Sequence, residues 1–152
     1  MLFAGIDAAG HNGLWVYDGQ NTSEISINGA FWGGIASSDL TLFNDEVLFN
    51  GFDADGRWGL WVTDGTTAGT HEINVIGAAP NGVNPSHFEV LNHNEVLFQG
   101  VDAAGHQGLW VTDGTTRGTH ELTGIRDANS LGIEPADITL SGTVSNHWDA
   151  IF

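Results

Sequence analysis

One motif is written three times along the chain. Leu2-Phe3-Ala4-Gly5-Ile6-Asp7-Ala8-Ala9-Gly10 matches Leu48-Phe49-Asn50-Gly51-Phe52-Asp53-Ala54-Asp55-Gly56, and both match Leu97-Phe98-Gln99-Gly100-Val101-Asp102-Ala103-Ala104-Gly105. Gly-Leu-Trp-Val follows each time, and then Asp18-Gly19, Asp64-Gly65 and Asp113-Gly114. The period is 46 residues from Trp15 to Trp61 and 49 from Trp61 to Trp110. A unit of this size cannot bury its apolar face alone, so the copies must pack on one another.

Inside one unit the apolar residues alternate with period two, which is the strand period. In the second copy the strands are expected around Val47-Leu48-Phe49, Leu60-Trp61-Val62-Thr63, His71 to Val75 and Phe88 to Leu91. Asp53-Ala54-Asp55-Gly56 and Asp64-Gly65 are turns by composition. High glycine (22 of 152 residues) and only three prolines also argue against helix. The expected fold is all-β, with three four-stranded antiparallel repeats at about 1–43, 44–91 and 92–140. A β-propeller-like array fits this size, and a β-trefoil is the alternative. The chain starts on the second strand of the unit and returns to the first at Ile138-Thr139-Leu140. Tail and head are therefore expected to finish the same sheet, and two chains could complete a six-bladed ring. An even-numbered homo-oligomer follows from that reading.

The stretch Gly-Leu-Trp-Val-Thr-Asp-Gly-Thr-Thr-x-Gly-Thr at 59–70 and 108–119 resembles the ELWxxDGT repeat family of bacterial extracellular proteins. The upstream Leu-Phe-x-Gly-x-Asp and Pro85-Ser86 look like the same unit. The resemblance implies a propeller-like array on a secreted or surface protein, and no catalytic residues. Gly13, Gly59 and Gly108 stand where that family usually has Glu, which points to a close backbone approach. Gln20-Asn21-Thr22-Ser23 replaces the Thr/Gly-Thr segment in the first copy. The C-terminal Trp148-Asp149-Ala150-Ile151-Phe152 is similar to the ends of proteins exported by type I secretion. Residues 141–152 are accordingly read as a tail carrying an export signal, and the location as extracellular.

Composition narrows the partners. There are 19 acidic residues against three basic ones (Arg57, Arg117 and Arg126), a formal net charge of -16. Such a surface repels phosphate backbones and anionic membranes, so nucleic acid is excluded as a partner. No apolar run is long enough for a membrane span. The absence of cysteine removes disulfides, thiolate metal sites and cysteine nucleophiles. Met1 to Asp7 has neither the basic region nor the apolar stretch of a Sec signal. There is no Gly-x-Ser-x-Gly and no Walker loop, and the scattered arginines cannot cluster on a carboxylate substrate. The chain is therefore read as a non-enzymatic binding module.

Recognition is expected where the copies differ on a constant frame. His11-Asn12, Arg57-Trp58 and His106-Gln107 occupy one such position, beside the first turn of each unit. Their donors, acceptors and rings suit hydroxyl-rich ligands, so a lectin-like or adhesin-like site for glycans or surface polysaccharide is expected there. Asp53 and Asp55 have the spacing of a calcium loop start, although no distal Glu completes the EF-hand pattern. The alternative function is thus a self-assembling, calcium-binding structural repeat. Asp18, Asp64 and Asp113 read as turn residues, and Trp15, Trp61 and Trp110 as core.

Overall fold

The computed structural model describes residues 1–141 and, for the backbone, 149–151. Among these the chain is all strand and turn, with no helix long and apolar enough to cross a membrane. It divides into two compact units, Met1–Ile73 and Asn74–Phe152.

The first unit holds two antiparallel sheets. One is built from β1 (Leu2–Ile6), β2 (Asn12–Tyr17) and β3 (Thr22–Glu24) in that order. The other is built from β4 (Ser38–Phe43), β5 (Glu46–Phe52), β6 (Trp58–Thr63) and β7 (His71–Ile73), again in sequence order. The second unit repeats the four-stranded sheet with β8 (Ser86–Val90), β9 (Val96–Val101), β10 (Gln107–Thr112) and β11 (His120–Glu121). It ends in the hairpin β12 (Thr139–Ser141) and β13 (Asp149–Ile151).

The strands fall where the period-two pattern placed them, with three corrections. The first sheet has three strands, not four. β4 and β8 lie at the ends of the first and second sequence repeats, yet they pair forward with β5 and β9, so Phe88 to Leu91 is not a strand of the second sheet. No strand is shared between sheets among the described residues, so the closed barrel that a trefoil needs is not formed.

The expected joining of tail to head is also not what the described residues show. β12 pairs with β13, not with β1. The register gives the reason. Leu140 faces Ala150 and Ser141 faces Asp149, as Leu42 faces Val47 and Phe43 faces Glu46 in the second repeat. Asp149-Ala150-Ile151 thus takes the place of a second strand and meets its own first strand through a local hairpin. Residues 142–148 and 152 of the segment read as an export tail lie outside the described residues.

Two glycine positions explain how the inner strands pack. Gly51 and Gly100 are buried beneath Trp61 and Trp110, and a Cβ there would press on the indole rings. The Trp61 indole N–H donates to the Gly51 carbonyl at 3.2 Å. Phe49 lies 6.3 Å from Trp61 and Phe98 6.3 Å from Trp110, each pair stacked. Leu60, Trp61 and Val62 are consecutive and all buried, so β6 is covered on both faces. In the first unit Leu14, Ile25, Ile35, Phe49 and Trp61 form one core, which joins the two sheets through residues of the 25–37 linker. In the second unit Leu97, Leu109, Val111 and Ile138 do the same, with Leu122, Ile125 and Ile133 packed alongside.

The Asp-Gly turns repeat atom for atom in the second and third copies. Asp64 Oδ1 accepts from the Thr66 N–H and hydroxyl, and the buried hydroxyls of Thr63 and Thr70 meet at 2.6 Å. Asp113, Thr115, Thr112 and Thr119 reproduce this, with the last two at 2.7 Å. The first copy has the shorter loop, where Asp18 accepts from the N–H groups of Gln20 and Asn21.

Candidate functional site

The site grows from the first turn of each repeat. Between β1 and β2 the chain reverses at Asp7-Ala8-Ala9-Gly10. Asp7 Oδ1 accepts from the N–H groups of Ala9 and His11, both at 2.8 Å, which locks the carboxylate in place. Its second oxygen faces His11 Nδ1 at 3.3 Å. Asp102 does the same with Ala104 and His106, and its Oδ2 lies 3.6 Å from His106 Nδ1. Asp53 accepts from Asp55 and Arg57 in the same way. The turn therefore fixes two side chains together, the Asp and the residue four positions on.

A second carboxylate comes from the third strand. Glu24, Glu72 and Glu121 stand opposite Trp15, Trp61 and Trp110. Each leans over the glycine two residues before the Trp. A Cβ at Gly13, Gly59 or Gly108 would run into the carboxylate of the facing Glu. The close approach expected at these glycines is thus real, but what approaches is a side chain on the neighbouring strand. Each repeat sets an Asp, a Glu and a His or Arg around a bare stretch of backbone.

In two copies this group lines a cavity. The first, about 280 Å³, includes Asp7, His11, Asn12, Glu24 and Trp32. The other, about 330 Å³, includes Asp102, His106, Glu121, Asn129 and Ser130. Both are closed by a linker that crosses the start of the middle strand. Gly34 bridges to Asn12 and Gly132 to Gln107.

The six residues predicted for recognition separate into three pairs. His11 and Asn12 line the first cavity. His106 lines the other, while the Gln107 side chain accepts from Gln99 Nε2 at 2.7 Å. Arg57 Nη1 lies 3.2 Å from Asp55 and 4.0 Å from Asp53. Trp58 is half-buried, with its ring centre 3.7 Å from that of Phe52. The open aromatic face belongs to Trp32, which is 80 % exposed and meets the His11 ring edge-on at 6.4 Å.

Asp53 and Asp55, the expected calcium ligands, both face the Arg57 guanidinium, which supplies the positive charge that a bound cation would bring. No group of three or more metal-ligating side chains converges among the described residues. Sequence reasoning missed Trp32 and the Glu series. The linker shows no repeat of Trp32, which stands where the other copies have Pro80 and Ser130. The signal for the Glu series was the glycine facing it.

Four turn aspartates and two of the glutamates are shifted in opposite senses. Turn N–H groups hold Asp7 below the usual carboxylate range, that of His11 foremost, and Asp102 likewise through His106. Thr66 lowers Asp64, and the Asn21 N–H lowers Asp18. Burial, then the nearby charge of Asp53 or Asp102, pushes Glu72 and Glu121 up. A lowered Asp stabilises the fold fully above its unfolded pKa, and that contribution disappears as pH falls through the folded value. A raised Glu costs stability while charged, and the cost is relieved on acidification. The melting temperature is therefore expected to rise gently as pH falls from neutrality toward about 5, and to drop below about 4, near the unperturbed carboxylate range. A monotonic fall from neutrality, followed by circular dichroism, would contradict this.

Comparison with family models, curated proteins and solved structures returned no match to this chain.

Proposed function

We propose that the chain is an extracellular, non-enzymatic carbohydrate-binding module of propeller-like build, with its principal site in the first repeat. The observation that carries this is the exposed Trp32 ring on the cavity that also holds Asp7, His11, Asn12 and Glu24. Ring faces stack on the apolar face of a pyranose, and fixed carboxylates, amides and imidazoles bond its hydroxyls. The propeller-like reading is supported by sheets that follow one another along the chain with their strands in sequence order. The extracellular reading rests on the repeat resemblance and on the acidic, cysteine-free and lysine-free composition.

Two chains forming a six-sheet ring belong to the same reading. That ring needs β12, which pairs with β13 within the chain, to leave it and pair with β1 of a second copy. A strictly monomeric mass in solution would remove it.

Trp32→Ala is the direct test. Because the ring is mostly in solvent, the melting temperature should stay within about 2 °C of the parent, since surface changes cost little. Retention on a glycan array should be lost. A variant that binds as the parent does would place the site elsewhere.

A further inference from the structure

We infer that the first-repeat cavity selects sugars bearing a free amine, an inference that rests on the carbohydrate-binding reading above. The two cavities share an Asp, a His and a Glu, so what differs between them is informative. In the first, Phe31 and Trp32 form an aromatic wall, with ring centres 5.3 Å apart. In the third repeat Asn129 and Ser130 stand there instead.

An aromatic face beside carboxylates is the chemistry that receives an ammonium group, because the ring's negative face and the anionic oxygens attract the same charge. Asp7 is already engaged by its turn and by His11. Glu24 stands opposite Trp15, leans over Gly13 and shares the cavity with Trp32. Neither Lys nor Arg lines the cavity and His11 already faces Asp7, so an acidic sugar would find no permanent cation there and two carboxylates to repel it. Trp32 and Glu24 line one cavity, so a pyranose held on the ring shares that space with the carboxylate. A protonated amine in that place brings a charged donor and an ion pair to the carboxylate, whereas an N-acetyl group brings only a neutral N–H.

The test is calorimetric titration with a glucosamine tetramer carrying free amines, its fully N-acetylated counterpart, and a galacturonic acid tetramer. The salt should be high enough to screen diffuse attraction to so acidic a chain. The amine tetramer is expected to bind about tenfold tighter than the acetylated one, the size of one charge-assisted bond. The acidic tetramer should not bind. Glu24→Gln should abolish the preference, and Gly13→Ala should weaken it by displacing the Glu24 side chain. Asp127→Asn, at an exposed residue outside the cavity, should leave it intact. Melting curves of each variant confirm folding.

Equal or tighter binding of the acetylated tetramer overturns the amine selection and leaves the carbohydrate reading standing. Unchanged amine binding by Glu24→Gln shows attraction to the whole acidic surface and also overturns it. Failure of all three sugars removes both readings.

Discussion

Trp61→Ala is expected to destabilise the fold by about 3–5 kcal/mol, the cost of emptying a large aromatic site in a packed core. Trp61 is 1 % exposed, stacks on Phe49 and shares a core with Leu14, Ile25 and Ile35. The variant also loses the indole donor to the Gly51 carbonyl. Small domains have total stabilities of about 5–15 kcal/mol, so the loss is a large share of the whole. Trp110→Ala should fall in the same range through packing alone, because its indole N–H has no partner among the described residues. Trp15→Ala should cost less, since that ring is only half-buried. Urea denaturation with the slope held in common would read these differences. A near-neutral Trp61→Ala would mean that the indole is not part of the core.

Gly34→Ala is the second large expected effect. Gly34 has φ of +103°, in the region that side chains avoid, and a Cβ there would meet the backbone N, C and O of Asn12. Backbone cannot swing aside as a side chain can, so the linker must lift off β2. It would take with it the Ala36 N–H bond to the Asn12 carbonyl. Backbone strain and overpacking each cost roughly 1–3 kcal/mol, so a loss of about 3 kcal/mol is expected. Trp32, two residues away, should be displaced as well, so sugar binding should weaken along with stability. Gly10→Ala is the contrast. Its φ is +87°, but its Cβ would meet open space, so only the conformational cost of about 1 kcal/mol applies. Equal losses at the two positions in a denaturation series would show that the crossing at Asn12 is not what matters.

Much of the architecture was legible because strand period and turn chemistry act locally. Leu60-Trp61-Val62-Thr63 and the Asp64-Gly65 turn declare themselves within a few residues. What escaped depends on contacts between segments. The destination of β12 was set by Asp149-Ala150-Ile151, a three-residue strand too short to stand out by pattern. The cover on both faces of β6 likewise comes from segments distant in the chain. His11 and Asn12 were found because they vary on a constant frame. Glu24 was passed over because its importance lies in leaning toward Gly13 on another strand, and Trp32 because it belongs to a linker with no repeat of it elsewhere.

The glycines under those glutamates give the repeats a form of independent control. Each acidic head sits where it does because the residue facing it has no side chain. What a new Cβ would strike there is the far end of a flexible carboxylate, and not backbone. A single methyl group at position 13 or 108 could therefore silence one pocket while its sheet and its sister pocket carried on. If the pockets hold sugars as proposed, a lineage could change how many are gripped, and how firmly, one small substitution at a time and without rebuilding the scaffold.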